Sequence, residues 1–106
     1  MSSTAEYIPH RGDIIQARTG GRKDVWVVVS NDIRNAELDS FLAARVLAAG
    51  GTSPTRVTTS AADPLSGFIS ADHIVTIYRD EVDEKIGTLA PDTASALSRA
   101  LRVAMP

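Results

Sequence analysis

The stretch HRGDIIQARTGGRKDVWVVVSND, residues 10–32, decides the fold of this chain. Two apolar runs in it flank a polar segment that contains Gly20-Gly21, which predicts two strands joined as a β-hairpin. The second run, Val25–Val29, is short, continuous and β-branched, as is typical of a strand buried on both faces. Ser30-Asn31-Asp32 follows it with side chains that favour a turn. We therefore expect a strand–loop–strand unit here.

Charge is distributed unevenly along a chain whose formal net charge is −2. Basic side chains come early and an acidic cluster comes late: Arg11, Arg18, Arg22 and Lys23, then Asp80, Glu81, Asp83 and Glu84. Because screening confines charge effects to about 8–10 Å, a local basic patch can exist on an acidic protein. An anionic ligand should therefore prefer the early segment, whereas the acidic balance argues against a general nucleic-acid coat.

The composition is that of a small globular protein. The chain has 106 residues, of which 43% are apolar and 23% are charged. We predict one domain over residues 1–106, with a flexible N-terminus at residues 1–6. The absence of cysteine excludes disulfides, thiol catalysis and cysteine-ligated zinc. Because no apolar run approaches the roughly 20 residues of a membrane span, and no secretory signal is present, we expect a cytoplasmic protein with no membrane partner.

The middle of the chain is ambiguous. The alanines and leucines of residues 36–49 favour a helix that Asn35 would cap, and on propensity alone a helix is predicted slightly ahead of a strand. Gly50-Gly51 ends the element in either case. Farther on, Thr55–Thr59 is typical of an exposed strand, and residues 60–67 of a loop.

The last part of the chain predicts one more strand and a terminal helix. Phe68–Tyr78 is rich in β-branched and aromatic residues, with a break expected near Ala71-Asp72. Pro91 suits the first position of a helix. A single apolar stripe with spacings of three and four residues follows, formed by Ala94, Leu97, Leu101 and Ala104.

Four short segments occur in an order and spacing that are familiar from one protein family. Pro9–Ile14 looks like an opening Arg-Gly-Asp-Ile strand, and Val27–Asp32 like the second strand and its turn. Asp72–Ile77 is similar to a late strand that usually reads Glu-Gln-Ile-Arg-Thr-Ile, and Lys85–Leu89 before Pro91 to an Ile-Gly-Leu-Ser-Pro-Glu ending. Over residues 8 to 104 the chain thus resembles the MazF/PemK family of bacterial toxins from toxin–antitoxin pairs.

The resemblance implies a fold. Members of the family are similar in being mainly β (α+β), with an SH3-like small β-barrel and a C-terminal α-helix, and they form homodimers. Under this interpretation residues 41–48 become a strand, against their propensity, because tertiary context often overrides propensity.

The resemblance also implies an activity. Family members are metal-independent, sequence-specific endoribonucleases that cleave single-stranded mRNA. In this chemistry the ribose 2′-OH attacks the neighbouring phosphorus and leaves a 2′,3′-cyclic phosphate and a free 5′-OH, so no cofactor is required. The reaction needs a proton acceptor, a proton donor and fixed positive charge on the phosphoryl oxygens. The two histidines, His10 and His73, show no spacing typical of metal ligands.

Two catalytic residues are carried over from the family. The family's arginine before the second strand usually reads Gly-x-Arg-Pro, and Arg22 matches it best, although proline is absent here and Lys23 is a competing assignment. Arginine suits the role because its planar fork can bind two phosphate oxygens at once. The family's threonine after the third strand is matched by Thr52, whose hydroxyl can bond a phosphate or the 2′-OH. The structural alternatives are a solvated hairpin tip and a turn-stabilising threonine.

A further set of side chains is expected to bind RNA: Arg18, Lys23, Ser53, Arg56 and His73. His73 could instead act as base or acid near neutral pH, or be structural. Trp26 could stack a base, but its apolar strand favours packing in the core.

The partners implied are single-stranded mRNA, a second copy of the chain and a cognate antitoxin peptide. Such a peptide is expected to be partly disordered and acidic, and so to suit the Arg18–Lys23 loop. Two alternatives remain at this point. One is a CcdB-like toxin that binds DNA gyrase, although the Trp-Gly-Ile helix ending of that class is missing from Arg102–Pro106. The other is a non-catalytic family member that only binds antitoxin.

Overall fold

The computed structural model describes residues 7–105, so the predicted flexible N-terminus at residues 1–6 lies outside the described residues. In the part described, the chain forms β1 (Asp13–Thr19), β2 (Arg22–Val28), α1 (Asp32–Glu37), β3 (Ser40–Leu47), β4 (Arg56–Thr58), β5 (Phe68–Tyr78), β6 (Val82–Thr88) and α2 (Pro91–Ala104). A single 3₁₀ turn, Arg79–Glu81, joins β5 to β6. The predicted terminal helix is confirmed.

The strand–loop–strand opening is an antiparallel hairpin, as predicted. Ile14 of β1 lies opposite Val27 of β2, and the register continues to the pair Thr19 and Arg22. The turn between the strands consists of Gly20 at φ 57° and Gly21 at φ 82°. Both values lie in the left-handed region, which side chains disfavour and tight hairpin turns require.

All six described strands form one antiparallel sheet in the order β4-β5-β3-β2-β1-β6. The two outer strands, β4 and β6, do not pair with each other, so the barrel is not closed. The prediction of a mainly β, SH3-like fold with a C-terminal helix is confirmed in this open form.

The helix predicted from the propensity of residues 36–49 is wrong. The helix α1 ends at Glu37, and Asn31 caps its start by accepting a hydrogen bond from the backbone N–H of Arg34 at 2.9 Å. Residues 40–47 instead form β3, in the centre of the sheet between β2 and β5. Neighbouring strands on both sides bond the backbone of β3 and bury Phe41 and Ala44 completely, which outweighs the helix propensity of alanine. The strand implied by the resemblance for residues 41–48 is confirmed to within one residue.

The break expected in the late strand is a bulge. Strand β5 is continuous, but its register with β3 shifts, because Ala44 lies opposite Ile74 whereas Arg45 lies opposite Ser70. Residues 71–73 therefore bulge from the β3 ladder, and the N–H of Ala71 donates instead to the carbonyl of Thr55 at 2.8 Å.

The strand predicted over Thr55–Thr59 is shorter and less exposed than expected. It spans Arg56–Thr58, and Val57 is only 8% exposed because it packs under α2. A three-residue edge strand leaves few unpaired backbone groups at this side of the sheet.

The sheet has an apolar core on each face. On one face α2 packs against the strands with its predicted stripe, and this core contains Ile14, Val27, Ala44, Ile69, Leu97 and Leu101. The opposite core contains Ile15, Trp26, Val28, Phe41 and Ile77. Trp26 is thus a core residue, as its apolar strand predicted.

Asp13 fastens the start of the chain to the sheet. Its buried carboxylate accepts hydrogen bonds from the hydroxyl of Tyr7 at 2.6 Å and the backbone N–H of His10 at 3.0 Å. It also pairs with the ammonium of Lys85 on β6 at 3.3 Å. Burial, together with the hydrogen bond to Asp13 and its charge, raises the pKa of Tyr7.

Candidate functional site

The tip of the β1–β2 hairpin carries the three cations predicted there. Arg18 and Lys23 lie opposite each other, and both approach the carboxylate of Asp83 on β6, at 4.0 Å and 3.7 Å. Arg22 is exposed and forms no hydrogen bond or ion pair with its side chain within residues 7–105. Part of the late acidic cluster therefore meets the early basic segment, and Arg22 is the hairpin cation that remains available to a ligand.

The loop between β3 and β4 carries Thr52 and Ser53. The hydroxyl of Thr52 contacts the hydroxyl of Thr58 on β4. The backbones of Ser53 and Arg56 bond each other in both directions at 3.1 Å. The guanidinium of Arg56 lies across Gly50, where an added Cβ would be 2.8 Å from Nη1. Gly50 is thus required for this position of Arg56.

The hairpin tip and the β3–β4 loop lie at the same end of the sheet, because β2 and β3 are antiparallel neighbours. Near that end an ion pair between Asp24 and Arg45, at 3.5 Å, links strand β2 to strand β3. Within the described residues, however, no hydrogen bond or ion pair links Arg22 to Thr52. The structure brings the two predicted catalytic residues to one end of the molecule without joining them.

A cleft of about 370 Å³ separates the β3–β4 loop from α2. Thr52, Ser53 and Arg56 line it together with Arg99 and Val103 of the helix. Arg99 is a further cation beside the predicted site.

His73 sits on the bulge of β5 and is exposed. Its Nδ1 lies 2.7 Å from the hydroxyl of Ser70, which is only 1% exposed. The neighbouring Asp72 accepts a hydrogen bond from the hydroxyl of Thr55 at 2.6 Å. The bulge therefore fixes the ring of His73 through one nitrogen.

Arg45 was not singled out from the sequence. It is half-buried on β3, directly opposite Trp26 on one side and Ser70 on the other. The signal that could have found it is a lone arginine inside the otherwise apolar run Phe41–Leu47, where a cation is costly unless it has a partner.

A second charged cluster lies at the start of the chain. Asp32 accepts a hydrogen bond from the backbone N–H of Arg11 at 2.8 Å and lies 3.3 Å from Nδ1 of His10. These two contacts, the backbone bond first, hold the pKa of Asp32 below its ordinary value. His10 therefore pairs with Asp32, whereas His73 contacts Ser70, so the two histidines belong to different clusters.

Residues 7–105 contain neither a cluster of metal ligands nor a membrane-spanning helix. No three histidine or carboxylate side chains lie together as metal ligands would. Neither helix in that range is long and apolar enough to span a membrane.

The sheet, the terminal helix and the cationic hairpin define a small mainly β protein of SH3-like architecture. A family model described as the PemK-like, MazF-like toxin of type II toxin–antitoxin systems matches residues 10–105. The chain therefore belongs to this toxin family.

Relatives and solved structures agree with the family. The endoribonuclease MazF1 of Mycobacterium bovis and the endoribonuclease MazF4 of Mycobacterium tuberculosis are each 33% identical over 97 residues, or 92% of this chain and 92% of theirs. An endoribonuclease in complex with its cognate antitoxin, from a mycobacterial species, has a TM-score of 0.88 at 33% identity, covering 92% of this chain and 97% of that chain. MazF of Deinococcus radiodurans has a TM-score of 0.79 at 21% identity, covering 92% and 96%, and supports the fold alone.

Proposed function

We propose that this chain is the endoribonuclease toxin of a type II toxin–antitoxin pair and cleaves single-stranded mRNA at specific sequences. The observation that carries the proposal is the match over 92% of the chain to relatives named as MazF endoribonucleases. A hairpin tip with an unengaged arginine supports it. The gyrase-binding alternative is not favoured, because the family match is to MazF-like toxins.

The proposed reaction is an intramolecular transfer. The ribose 2′-oxygen attacks phosphorus, the bond to the 5′-oxygen breaks, and the products are a 2′,3′-cyclic phosphate and a 5′-hydroxyl. Arg22 would stabilise the charge that develops on the phosphoryl oxygens, since its guanidinium is exposed and unpaired within the described residues. Lys23 is the weaker candidate because Asp83 already engages its ammonium.

The remaining side chains would position the strand. The hydroxyls of Thr52 and Ser53 lie on the loop at the same end of the sheet, where they can bond a phosphate. Arg18, Arg56 and His73 would bind neighbouring parts of the RNA. A metal is not needed in this chemistry because the nucleophile is already part of the substrate.

The test is cleavage of a long RNA in the presence of EDTA. Arg22→Ala should lower the cleavage rate at least about 100-fold, since removing one donor from a site of developing negative charge has an effect of that order. Lys23→Ala should have a much smaller effect, and Arg102→Ala, an exposed arginine of α2 that does not line the cleft beside Thr52, should have none. Intact RNA with the wild-type protein, or equal losses in all three variants, would contradict the proposal.

The toxin is further proposed to work as a cytoplasmic homodimer that a cognate antitoxin neutralises. One solved relative is described as bound to its cognate antitoxin, and the family resemblance implies the dimer. A surface suited to the second copy surrounds Arg11, where Ile33 is 80% exposed and Met105 is 52% exposed. Large exposed apolar side chains on both sides of one residue are typical of a protein–protein interface.

A further inference from the structure

A row of side chains crosses the sheet on the face opposite α2. Arg56 of β4 lies opposite Ser70 of β5. On its other side Ser70 lies opposite Arg45 of β3, and Arg45 in turn lies opposite Trp26 of β2. Directly opposed residues of antiparallel strands share a face, with Cβ atoms about 5 Å apart. Backbone register therefore places two arginines and a tryptophan in one row, with Ser70 between the two arginines.

This row contains buried donors that have no acceptor. Nε of Arg56 and Nε1 of Trp26 are both buried without a hydrogen-bond partner among the residues that the structure describes. A buried donor left unsatisfied destabilises a protein, so each such group in a native fold calls for an explanation. The unsatisfied donors lie beneath the row, and the guanidinium of Arg45, whose side chain is 33% exposed, is the part of the row that a ligand on this face can reach.

His73 adds a third donor at the side of the row. Ser70 is the only hydrogen-bond partner of its ring within residues 7–105. A serine hydroxyl can donate to Nδ1 of the neutral ring or accept from Nδ1–H of the protonated ring. Where the Ser70 hydroxyl donates to Nδ1, the neutral ring carries its hydrogen on Nε2, which is then a donor on an exposed side chain.

The carboxylates near His73 are already engaged. On its own strand Asp72 accepts from Thr55 at 2.6 Å, and on β2 Asp24 pairs with Arg45 at 3.5 Å. The charged groups that neighbouring strands place around the bulge are the cations Arg45 on β3 and Arg56 on β4. Helix α2 packs on the opposite face of the sheet.

We propose that this row is a phosphate-binding subsite for the RNA strand, with Arg45 and His73 as its principal contacts. Planar guanidinium groups bind phosphate oxygens in pairs, and an imidazolium adds charge as the pH falls. Asp24 holds Arg45 in place and competes with the phosphate for it. The subsite rests on the proposed endoribonuclease function, and it extends the substrate path from the hairpin tip onto the sheet.

The first experiment measures binding of a fluorescent single-stranded 2′-O-methyl RNA, which cannot be cleaved, by anisotropy over a range of salt. Arg45→Met should weaken binding at least tenfold and lower the slope of log K against log salt by about 0.7, the value for one phosphate contact on a single strand. Asp24→Asn should strengthen binding, because it frees Arg45. Arg102→Met on α2 is the matched control, and because Arg102 lies beside Met105, sedimentation velocity checks that this variant keeps the wild-type oligomeric state.

The opposite effects of Arg45→Met and Asp24→Asn on RNA affinity distinguish a role in RNA binding from a role in folding. A merely structural ion pair would make Arg45→Met and Asp24→Asn change stability, measured by thermal unfolding, without opposite effects on RNA affinity. Arg45→Lys, which keeps the charge and loses the fork, should recover part of the affinity. Equal affinities for Arg45→Met and Arg102→Met would overturn the subsite. The subsite would also be overturned if Arg45→Met bound RNA normally but no longer bound an acidic peptide.

The second experiment uses pH. Wild-type affinity should rise as the pH falls from 8 toward 5.5, where imidazole side chains gain charge. His73→Gln should abolish this dependence and His10→Gln should keep it, since these are the two histidines of the chain. The reverse pattern would overturn the proposal. If Arg22→Ala stops cleavage while Arg45→Met binds RNA normally, the subsite fails and the endoribonuclease stands. A wild-type protein that neither binds nor cuts RNA would reject both.

Discussion

At the scale of single residues, the carboxylate of Asp63 links two segments that are distant in the chain. Asp63 lies in the loop before β5 and accepts hydrogen bonds from the backbone N–H of Ala90 at 2.7 Å and the hydroxyl of Thr93 at 2.6 Å. It also accepts from the backbone and hydroxyl of Ser60. It thus supplies the cap that Ala90, at the start of α2, cannot supply itself.

Asp63→Asn should therefore destabilise the fold by about 1–3 kcal/mol at pH 7. The substitution replaces one acceptor oxygen of the carboxylate with an NH₂ group, which cannot accept a hydrogen bond from the N–H and O–H groups around it. Burial raises the pKa of Asp63, but the hydrogen bonds that it accepts more than offset this and hold the pKa below 3.8. A lowered folded-state pKa gives stability that is present above about pH 3.8 and is lost as the pH falls through the folded value.

Urea unfolding at pH 7 and at pH 3 measures this effect. The difference between the wild type and Asp63→Asn should shrink at the lower pH. Asp92→Asn, an exposed carboxylate in the first turn of the same helix, is the control and should change stability little. An equal loss in both variants would show that helix charge, and not the cap, is responsible.

At the scale of elements, the hairpin was predictable from the local sequence, whereas the central strand was predictable only from the family resemblance. Gly20-Gly21 between two apolar runs is a local signal, because the backbone of a tight turn needs positive φ at those positions. Strand β3 is made of residues that favour a helix, and only pairing with β2 and β5 decides its structure. Such long-range pairing leaves no mark in the local sequence.

In the candidate site too, local sequence predicted some features, and others depend on long-range strand pairing. The cations of the hairpin were predicted from their sequence, but the approach of Asp83 to Arg18 and Lys23 depends on the pairing of β6 with β1. The row through Arg45 likewise depends on the register of four strands. Spacing along the chain therefore indicated where the candidate site lies but not which side chains it brings together.

The turn permits a test at this scale. Gly21→Ala should destabilise the protein by about 1–2 kcal/mol, the cost of a left-handed conformation for a residue with a side chain. Gly20→Asn should cost much less, since asparagine tolerates that region. No atom lies within 4 Å of a Cβ added at either glycine, so the difference reports the backbone and not packing. Chemical denaturation measures it, and equal losses would exclude the turn as the cause.

At the scale of the whole molecule, the sheet separates two surfaces. One face is covered by α2, and its margin around Arg11 carries Ile33 and Met105, which we assign to the second copy. The opposite face carries the row through Arg45. Dimer formation should therefore not cover that row.

Ile33→Asp should convert the homodimer to a monomer, because it places a charge in an apolar interface that must be dehydrated on association. Sedimentation velocity at several protein concentrations measures the assembly state. Val103→Asp is the control, since Val103 is 59% exposed and lines the separate cleft beside Thr52. A dimer that survives Ile33→Asp but not Val103→Asp would move the interface to that cleft.

The open sheet of the fold has a consequence for solubility. Two unpaired edges could recruit strands from other copies and begin aggregation. Strand β4 is only three residues long, and β6 carries Asp83, Glu84 and Lys85 in succession, so neither edge is a good template for a foreign strand. Neither edge therefore promotes the edge-to-edge association of copies through which exposed strands aggregate.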